Sequence, residues 1–141
     1  MIRESTWNGA SCISINKGAT DEDLRYGKST IMHHYLFGYE LPDTVLLLTL
    51  DGQCVILAAK RKCEFLEPAV GNAPEGGSVK SLKLLTKNKA DNNAENVEEM
   101  MQLVKGSGDD DNLKLGVILK EFKSNNDAKE GSNIEVWEKA L

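Results

Sequence analysis

The sequence predicts a three-layer α/β domain, in which a mixed sheet is flanked by helices on both faces. Three observations lead to this prediction. Apolar extended runs alternate with segments of helical periodicity, in the order β-α-β-β-α-β-α-β-α. Residues 44–50 (TVLLLTL) are apolar without alternation, which is typical of a central strand covered on both faces. Asp51 and Gly52 follow directly and indicate a hairpin, so at least one strand pair is antiparallel.

The first third of the chain begins with a predicted strand at residues 11–17 (SCISINK). A short helix is predicted at residues 30–37, with Ser29 as its N-cap and Gly38 at the left-handed position that ends it. Pro42 then holds the residue before it in an extended conformation. The apolar face of this helix is predicted from pairs spaced four residues apart, which are Ile31 with Tyr35 and Met32 with Leu36.

The hairpin is predicted to contain a tight type I′ turn, which needs positive φ at both Asp51 and Gly52. Residues 53–59 then form the return strand. A helix at residues 60–67 (KRKCEFLE) follows and is closed by Pro68. Its inner face is predicted to carry Cys63 and Leu66.

A flexible, glycine-rich connection at residues 71–77 precedes a predicted strand at residues 79–86. The helix with the strongest sequence support covers residues 94–105, with an asparagine cap at position 92 or 93 and Gly106 after its last residue. Its buried stripe is predicted to consist of Val97, Met101 and Val104.

The end of the chain is predicted to add a strand and a helix. An acidic turn at residues 109–112 precedes a strand at residues 113–120 (LKLGVILK). Ser132 and Glu135 have the spacing of a capping box for the last helix. The residues predicted to face inward are Leu115, Val117 and Leu119 of the strand and Ile134, Trp137 and Leu141 of the helix.

Length and composition predict one soluble, intracellular domain spanning residues 1–141. The chain has a mass of 15.5 kDa, 40% hydrophobic residues and a net charge of -5, which argues against a dedicated DNA-binding module. Neither a signal peptide nor an apolar run near 18 residues is visible. The three cysteines form no CxxC pair, so we expect buried thiols in a reducing compartment: Cys12, Cys54 and Cys63.

The run Gly27-Lys28-Ser29-Thr30 resembles the end of a phosphate-binding loop, but its context excludes one. That motif needs a glycine five positions before Gly27, where this chain has Glu22. Three carboxylates at residues 21–23 would also stand where the phosphates bind. We therefore expect no nucleotide site.

No catalytic, cofactor-binding or metal-binding residues are predicted, and the chain is not expected to be an enzyme. His33 and His34 are adjacent, so on a helix they point about 100° apart and cannot chelate one metal. We expect one of them to pack near Phe37 and the other to be exposed. No GxSxG motif occurs, and Met100 and Met101 are expected to belong to a helix core.

Charge is distributed unevenly along the chain. Residues 60–89 carry seven basic and three acidic side chains, whereas residues 91–111 carry seven acidic and one basic. Such runs are usually the solvated faces of surface helices and loops. The alternative is two faces of opposite sign that meet charged partners. Lys60, Arg61 and Lys62 oppose the dipole at the start of their helix, which favours a reason other than stability.

A family resemblance is concentrated in residues 26–44. The chain resembles the N-terminal domain of the large subunit of FACT, the suppressor-of-Ty sixteen histone chaperones. The similarity covers most of the chain, although residues 71–112 match only in the order of elements. The motifs that carry it are Asp23-Leu24-Arg25-Tyr26, Lys28-Ser29 and Tyr35-Leu36-Phe37-Gly38-Tyr39-Glu40-Leu41-Pro42-Asp43-Thr44, with weaker matches at Lys60-Arg61-Lys62, Phe65-Leu66, Leu115-Gly116-Val117 and Trp137-Glu138-Lys139-Ala140.

The resemblance implies a fold like the smaller lobe of aminopeptidase P and creatinase, which precedes a larger pita-bread lobe. The metal ligands of the true peptidases lie in that larger lobe, and the FACT subunit has lost the peptidase function. The implied role is histone binding in nucleosome disassembly and reassembly during transcription, replication and repair, without cofactor or metal, in the nucleus and on the chromosome. The family usually has a longer helix before the first strand, so we expect a trimmed chain with exposed apolar surface.

The implied partners are core histones, together with the HMG-box small subunit of FACT through other domains of the full-length protein. Neither sequence-specific DNA binding nor a membrane is expected. The residues that contact a partner are not identified by the sequence. The alternative is the non-catalytic N-terminal lobe of an active metallo-aminopeptidase P or prolidase, and the third possibility is a generic α/β binding domain.

Overall fold

A computed structural model describes residues 7–18, 27–72, 75–107, 114–118, 137 and 140. Within these residues, helices and strands alternate as the sequence predicts. Trp137 and Ala140 are helical, in the region of the predicted last helix. The elements are β1 Cys12–Lys17, α1 Lys28–Phe37, β2 Thr44–Thr49, β3 Gln53–Ala58, α2 Lys60–Leu66, β4 Ser81–Thr86, α3 Ala94–Gly106 and β5 Leu115–Val117, and a 3-10 turn, Glu67–Ala69, follows α2.

The five described strands form one mixed sheet in the order β4-β3-β2-β1-β5. Strand β2 lies in the middle and is antiparallel to both β1 and β3. Strand β4 is parallel to β3, and β5 is parallel to β1. Leu46 of β2 pairs with Ile15 on one side and with Ile56 on the other, and all three are buried. The prediction of a central strand within a mixed sheet is confirmed.

Two apolar cores lie on opposite faces of the sheet, because side chains alternate along each strand. Helices α1 and α2 cover one face through Met32, Leu36, Cys63 and Leu66. Helix α3 covers the other face, where Trp137 is also fully buried. The predicted three-layer arrangement is therefore present, and the inward positions of Cys63, Leu66 and Trp137 are confirmed.

Helix α1 begins earlier than predicted, and a different side of it is buried. Its N-cap is Gly27, so Ser29 lies inside the helix and is not the cap. Ile31 and Tyr35 were predicted to face inward but are exposed. A helix turns by 100° per residue, so burial of His33 directs Ile31 to the opposite side. The buried residues of α1 are Ser29, Thr30 and His33, and Gly38 is left-handed as predicted.

The β2–β3 hairpin is confirmed, but the predicted turn type is wrong. Leu48 pairs with Cys54, so three residues, Leu50, Asp51 and Gly52, connect Thr49 to Gln53. Only Gly52 has positive φ, at 94°, and its N–H donates to the Thr49 carbonyl at 3.1 Å. A longer connection with one left-handed glycine replaces the type I′ turn. The Asp51 carboxylate accepts from the Thr49 hydroxyl and from Gln53 Nε2, which lowers its pKa.

Helix α3 begins at Ala94 with Asn93 at the N-cap position, as predicted, although Asn93 makes no side-chain capping hydrogen bond. Asn93 precedes the helix in the left-handed conformation, and the Asp91 carboxylate accepts from the Glu95 N–H at 3.2 Å. The other end of the helix differs from the prediction. Gly106 is the last helical residue, so it is not the left-handed cap that was predicted. Ser107 follows in a right-handed conformation, and its hydroxyl donates to the Leu103 carbonyl at 2.5 Å. The fully buried stripe is Val97, Met100 and Val104, with Met101 only partly buried.

Several other boundaries are shorter than predicted. Helix α2 ends at Leu66, and Pro68 lies in the 3-10 turn after it. The edge strand β4 begins at Ser81, and β5 covers three residues. The predicted acidic turn, together with Leu119, Ser132, Ile134, Glu135 and Leu141, lies outside the described residues.

Candidate functional site

The resemblance to a phosphate-binding loop has no counterpart in the structure. Lys28 is the first residue of α1 and is exposed, whereas the next two residues, Ser29 and Thr30, are buried against the sheet. The hydroxyl that would hold a metal ion in such a loop is therefore inaccessible. The expectation that this run is not a nucleotide site agrees with this placement.

The two histidines have different environments, as predicted. His33 is fully buried and contacts Phe37 edge to face, with ring centroids 5.7 Å apart. Its Nδ1 accepts a hydrogen bond from the Leu41 N–H at 3.1 Å. Burial, followed by the nearby Lys17, lowers the pKa of His33 to about 4. His34 is exposed. Among the described residues, no group of three or more His, Cys, Asp or Glu side chains could hold a metal ion.

All three cysteines are buried free thiols, so this prediction is confirmed. Burial raises the pKa of Cys54 to about 12 and also raises that of Cys12. A thiol at such a site is protonated at neutral pH and is a poor nucleophile. Cys63 directs its Sγ toward two backbone oxygens, those of Ala58 and Leu85, each at 3.6 Å.

Residues 39–43, which we call the 39–43 loop, make polar contacts with several elements of the described part of the chain. Glu40 pairs with Lys17, whose Nζ is 2.9 Å away and whose side chain is only 4% exposed. The Leu41 N–H donates to His33 as described above. Lys62 donates to the Pro42 carbonyl from α2. The loop is thereby joined to β1, α1 and α2.

The two ends of the 39–43 loop are also fixed. The Tyr39 ring contacts Phe65 of α2 edge to face at 5.2 Å. Asp43 has positive φ, at 52°, and its N–H donates to the Gly18 carbonyl at 2.8 Å. Its carboxylate pairs with Lys87, just after β4, at 2.5 Å. Every charge of the loop thus has an intramolecular partner, which indicates a structural role and not a catalytic one.

The two outer faces of the domain differ in character. The α3 face is polar and mainly acidic, with Glu95, Glu98 and Gln102 exposed and Glu99 paired with Lys83. The α1/α2 face, which is the outer surface of these two helices, is apolar and basic. Its exposed residues are Lys28, Ile31, His34, Tyr35, Lys60, Arg61, Glu64 and Phe65.

The described part of the chain contains no helix that is both long and apolar enough to cross a membrane. Sequence reasoning missed both the loop contacts and the exposed side of α1. Gly38, Pro42 and Asp43 were the available signals for an ordered loop, since such residues mark fixed backbone conformations.

Comparison with known proteins finds FACT complex subunits that match most of this chain. The FACT complex subunit spt-16 of Caenorhabditis elegans is 34% identical over 121 residues, which is 86% of this chain and 11% of that protein. The FACT complex subunit spt16 of Aspergillus fumigatus is 32% identical over 116 residues, covering 82% of this chain and 10% of that protein. The chain therefore spans about a tenth of the length of these curated relatives.

Two solved structures have a similar fold. The N-terminal domain of FACT complex subunit SPT16 from Cicer arietinum (chickpea) superposes with a TM-score of 0.74 at 23% identity, over 96% of this chain and 29% of that one. The corresponding domain from Eremothecium gossypii gives a TM-score of 0.69 at 25% identity, over 93% and 28%. The predicted fold class is thus confirmed.

The family match extends over nearly the whole chain, from residue 2 to residue 141. It agrees with the residues in which the resemblance was first visible, including the 39–43 loop. The sequence alone was compatible with a FACT subunit and with a metallo-aminopeptidase P or prolidase, and the family match identifies the FACT subunit. The chain belongs to the family described as the FACT complex subunit SPT16 N-terminal lobe domain.

Proposed function

We propose that residues 1–141 form one lobe of a larger, catalytically inactive peptidase-like domain, and that this lobe binds histones. As part of a FACT-type histone chaperone it would take part in nucleosome disassembly and reassembly during transcription, replication and repair. Its place would be the nucleus, on the chromosome. Core histones are the proposed partners, and the HMG-box small subunit would bind through other domains of the full-length protein.

The observation that carries the proposal is the acidic α3 face. Glu95 and Glu98 are exposed on one helix, and neither forms an ion pair with another described residue. Glu98 accepts only a long hydrogen bond from Gln102 Nε2, at 3.4 Å. Their carboxylates are therefore available to a basic partner, and histones are strongly basic. Complementary charge of this kind mainly raises the association rate and selects the partner. The acidic residues 109–111 follow α3 in the sequence and add to the same charge.

Binding of purified core histones across a salt series tests the proposal. We expect the variant Glu95→Gln/Glu98→Gln to weaken binding about 3- to 10-fold at low salt and to flatten the salt dependence, because exposed charges are screened by added ions. The matched control is Glu64→Gln/Glu67→Gln. It removes the same number of exposed carboxylates, but from the region of α2 on the other side of the sheet.

Equal weakening by both variants would mean that the α3 face has no special role and that only net charge matters. Absence of histone binding by the complete two-lobe domain, even at low salt, would remove the proposal altogether. Far-UV circular dichroism of each variant checks that α3 remains folded, since Glu95 lies in its first turn and favours the helix dipole.

A further inference from the structure

The described large apolar side chains that remain exposed all lie on the α1 and α2 side of the sheet. Tyr35 is 83% exposed, Phe65 65% and Ile31 58%, and Val70 follows in the turn after α2. Helix α3, on the opposite side, exposes only polar and charged side chains apart from its small Ala94 and Gly106. Soluble domains normally disperse exposed apolar residues, so their concentration on one side calls for an explanation.

The segment that follows α1 contacts α2 at one of the exposed apolar residues, Phe65. Ile31 and Tyr35 lie one turn apart on the same side of α1. Tyr39 comes four residues later and contacts Phe65 of α2 edge to face. If a full side chain offers about 200 Å², the three exposed fractions together amount to roughly 400 Å². The largest apolar patch on a typical monomer has about this area and is often functional.

The charges around this patch are mainly positive. Lys28 begins α1, and Lys60 and Arg61 begin α2, whereas Glu64 is the only exposed acid on these two helices. Arg61 precedes Phe65 by four residues, so the two residues lie on the same side of α2. Arginine and aromatic residues are both enriched at protein interfaces.

We propose that the α1/α2 face docks an acidic segment of a partner protein, in which aliphatic or aromatic anchors are interspersed with Asp and Glu. The anchors would cover Ile31, Tyr35 and Phe65. The acids would meet Lys28, Arg61 and Lys60, whose Nζ lies 3.9 Å from the exposed Glu64 carboxylate in the free chain. This partner is distinct from histones, because a basic protein would be repelled by the same cations. One lobe would then present two faces of opposite sign to two classes of protein.

Three synthetic peptides test the proposal against the 141-residue chain by fluorescence anisotropy. The first has Leu and Phe at helical spacing with Asp and Glu between them, the second has Lys in place of every acid, and the third has Ser in place of every Leu and Phe. We expect saturable binding of the first, below about 100 μM, and at least about tenfold weaker binding of the other two, because anchors and charge are both needed.

Substitutions on the face should reproduce this pattern. Ile31→Ala/Tyr35→Ala and, separately, Arg61→Glu are expected to weaken the first peptide about tenfold or more. Val70→Ala is the matched control, because it also removes an exposed apolar side chain but lies beyond the end of α2. It should leave the affinity unchanged. Both Ile31 and Tyr35 are exposed, so the chain should fold without them.

Four results would overturn the proposal. The first is equal binding of the Lys peptide or the Ser peptide, and the second is binding that the face variants do not weaken. The third is sedimentation of the chain as a dimer that Ile31→Ala/Tyr35→Ala dissociates, which would make a second copy the occupant. The fourth is that Tyr35→Cys reacts with a maleimide in the 141-residue chain but not in the full-length subunit, which would show that the rest of the protein covers this face.

Discussion

His33 should make the stability of this domain depend on pH in a range where most side chains do not titrate. The ring is fully buried, its Nδ1 accepts from the Leu41 N–H, and its Nε2 has no hydrogen-bond partner among the described residues. Protonation would place a donor at Nδ1 opposite that N–H and a charge beside the cation of Lys17. The folded chain therefore binds this proton weakly.

The magnitude follows from the two pKa values. Unfolded His33 titrates near 6.5, whereas the folded ring has a pKa of about 4. Between these values the unfolded chain holds more protons than the folded one, so the free energy of unfolding falls as the pH falls. His33 should contribute a loss of about 2 kcal/mol between about pH 7.5 and pH 5, and of about 3 kcal/mol once the pH is below 4.

Urea denaturation at a series of pH values measures this loss. Other charges act on the ring as well, since Glu40 raises the pKa of His33 and Lys62 lowers it. The comparison is therefore made with His33→Asn, whose side-chain oxygen can still accept from the Leu41 N–H. That variant is less stable at every pH because it leaves a cavity, but its stability should vary less between pH 5 and 7.5. The exposed neighbour supplies the control, since His34→Gln should keep the full dependence.

Two results would refute this reasoning. One is that the wild-type chain and His33→Asn lose the same stability between about pH 7.5 and pH 5, in which case another group is responsible. The other is an NMR titration in which the His33 ring signals of the folded chain move with a midpoint near 6.5, since a buried ring in this setting should remain neutral at that pH.

Two further predictions concern the buried ion pair and the hairpin. Lys17→Met should lower the free energy of unfolding by about 2 to 3 kcal/mol, because it leaves Glu40 without its partner. In urea titrations, the double variant Lys17→Met/Glu40→Gln should recover part of that loss. Simple additivity of the two single substitutions would contradict the pairing. Gly52→Ala should lower the free energy of unfolding by about 3 kcal/mol, and Gly71→Ala should lower it by about 1 kcal/mol. Both glycines have positive φ, but only at Gly52 would an added Cβ lie 2.6 Å from the Ser78 carbonyl oxygen. Equal thermal stabilities of these two variants would show that the backbone at Ser78 can move away from an added Cβ at position 52.

The sheet could be predicted from the sequence because two separate features, an apolar run and a turn motif, indicate the same strands. The unbroken apolar run of β2 requires cover on both faces, and Asp51 and Gly52 limit the ways in which the chain can reverse after it. The stripe of α3 was nearly correct for a similar reason, since polar residues fill the remaining positions of that helix. In these elements hydrophobic periodicity and turn chemistry agree, so a one-residue error at an end does not change the fold.

The face of α1 could not be predicted in the same way. Apolar or aromatic side chains occur on every side of this helix, so periodicity favours no single stripe. The choice is made by tertiary contacts. His33 is held inside by the Leu41 N–H, and that contact depends on a loop outside the helix. The exposed patch of Ile31 and Tyr35 is the consequence, and a search for apolar faces assigns those two residues to the core.

The contacts of the 39–43 loop explain why the family resemblance is concentrated near it. Each of its five residues contacts a residue outside the loop, and the partners include Lys17 of β1, Lys62 of α2 and Lys87 after β4. A substitution in the loop would therefore disturb several elements at once, whereas the outer faces can change their charge and anchors without altering the fold. Residues that identify this family and residues that select its partners should consequently lie in different places. The loop identifies the fold, and the α3 and α1/α2 faces are where differences in binding between FACT subunits should be sought.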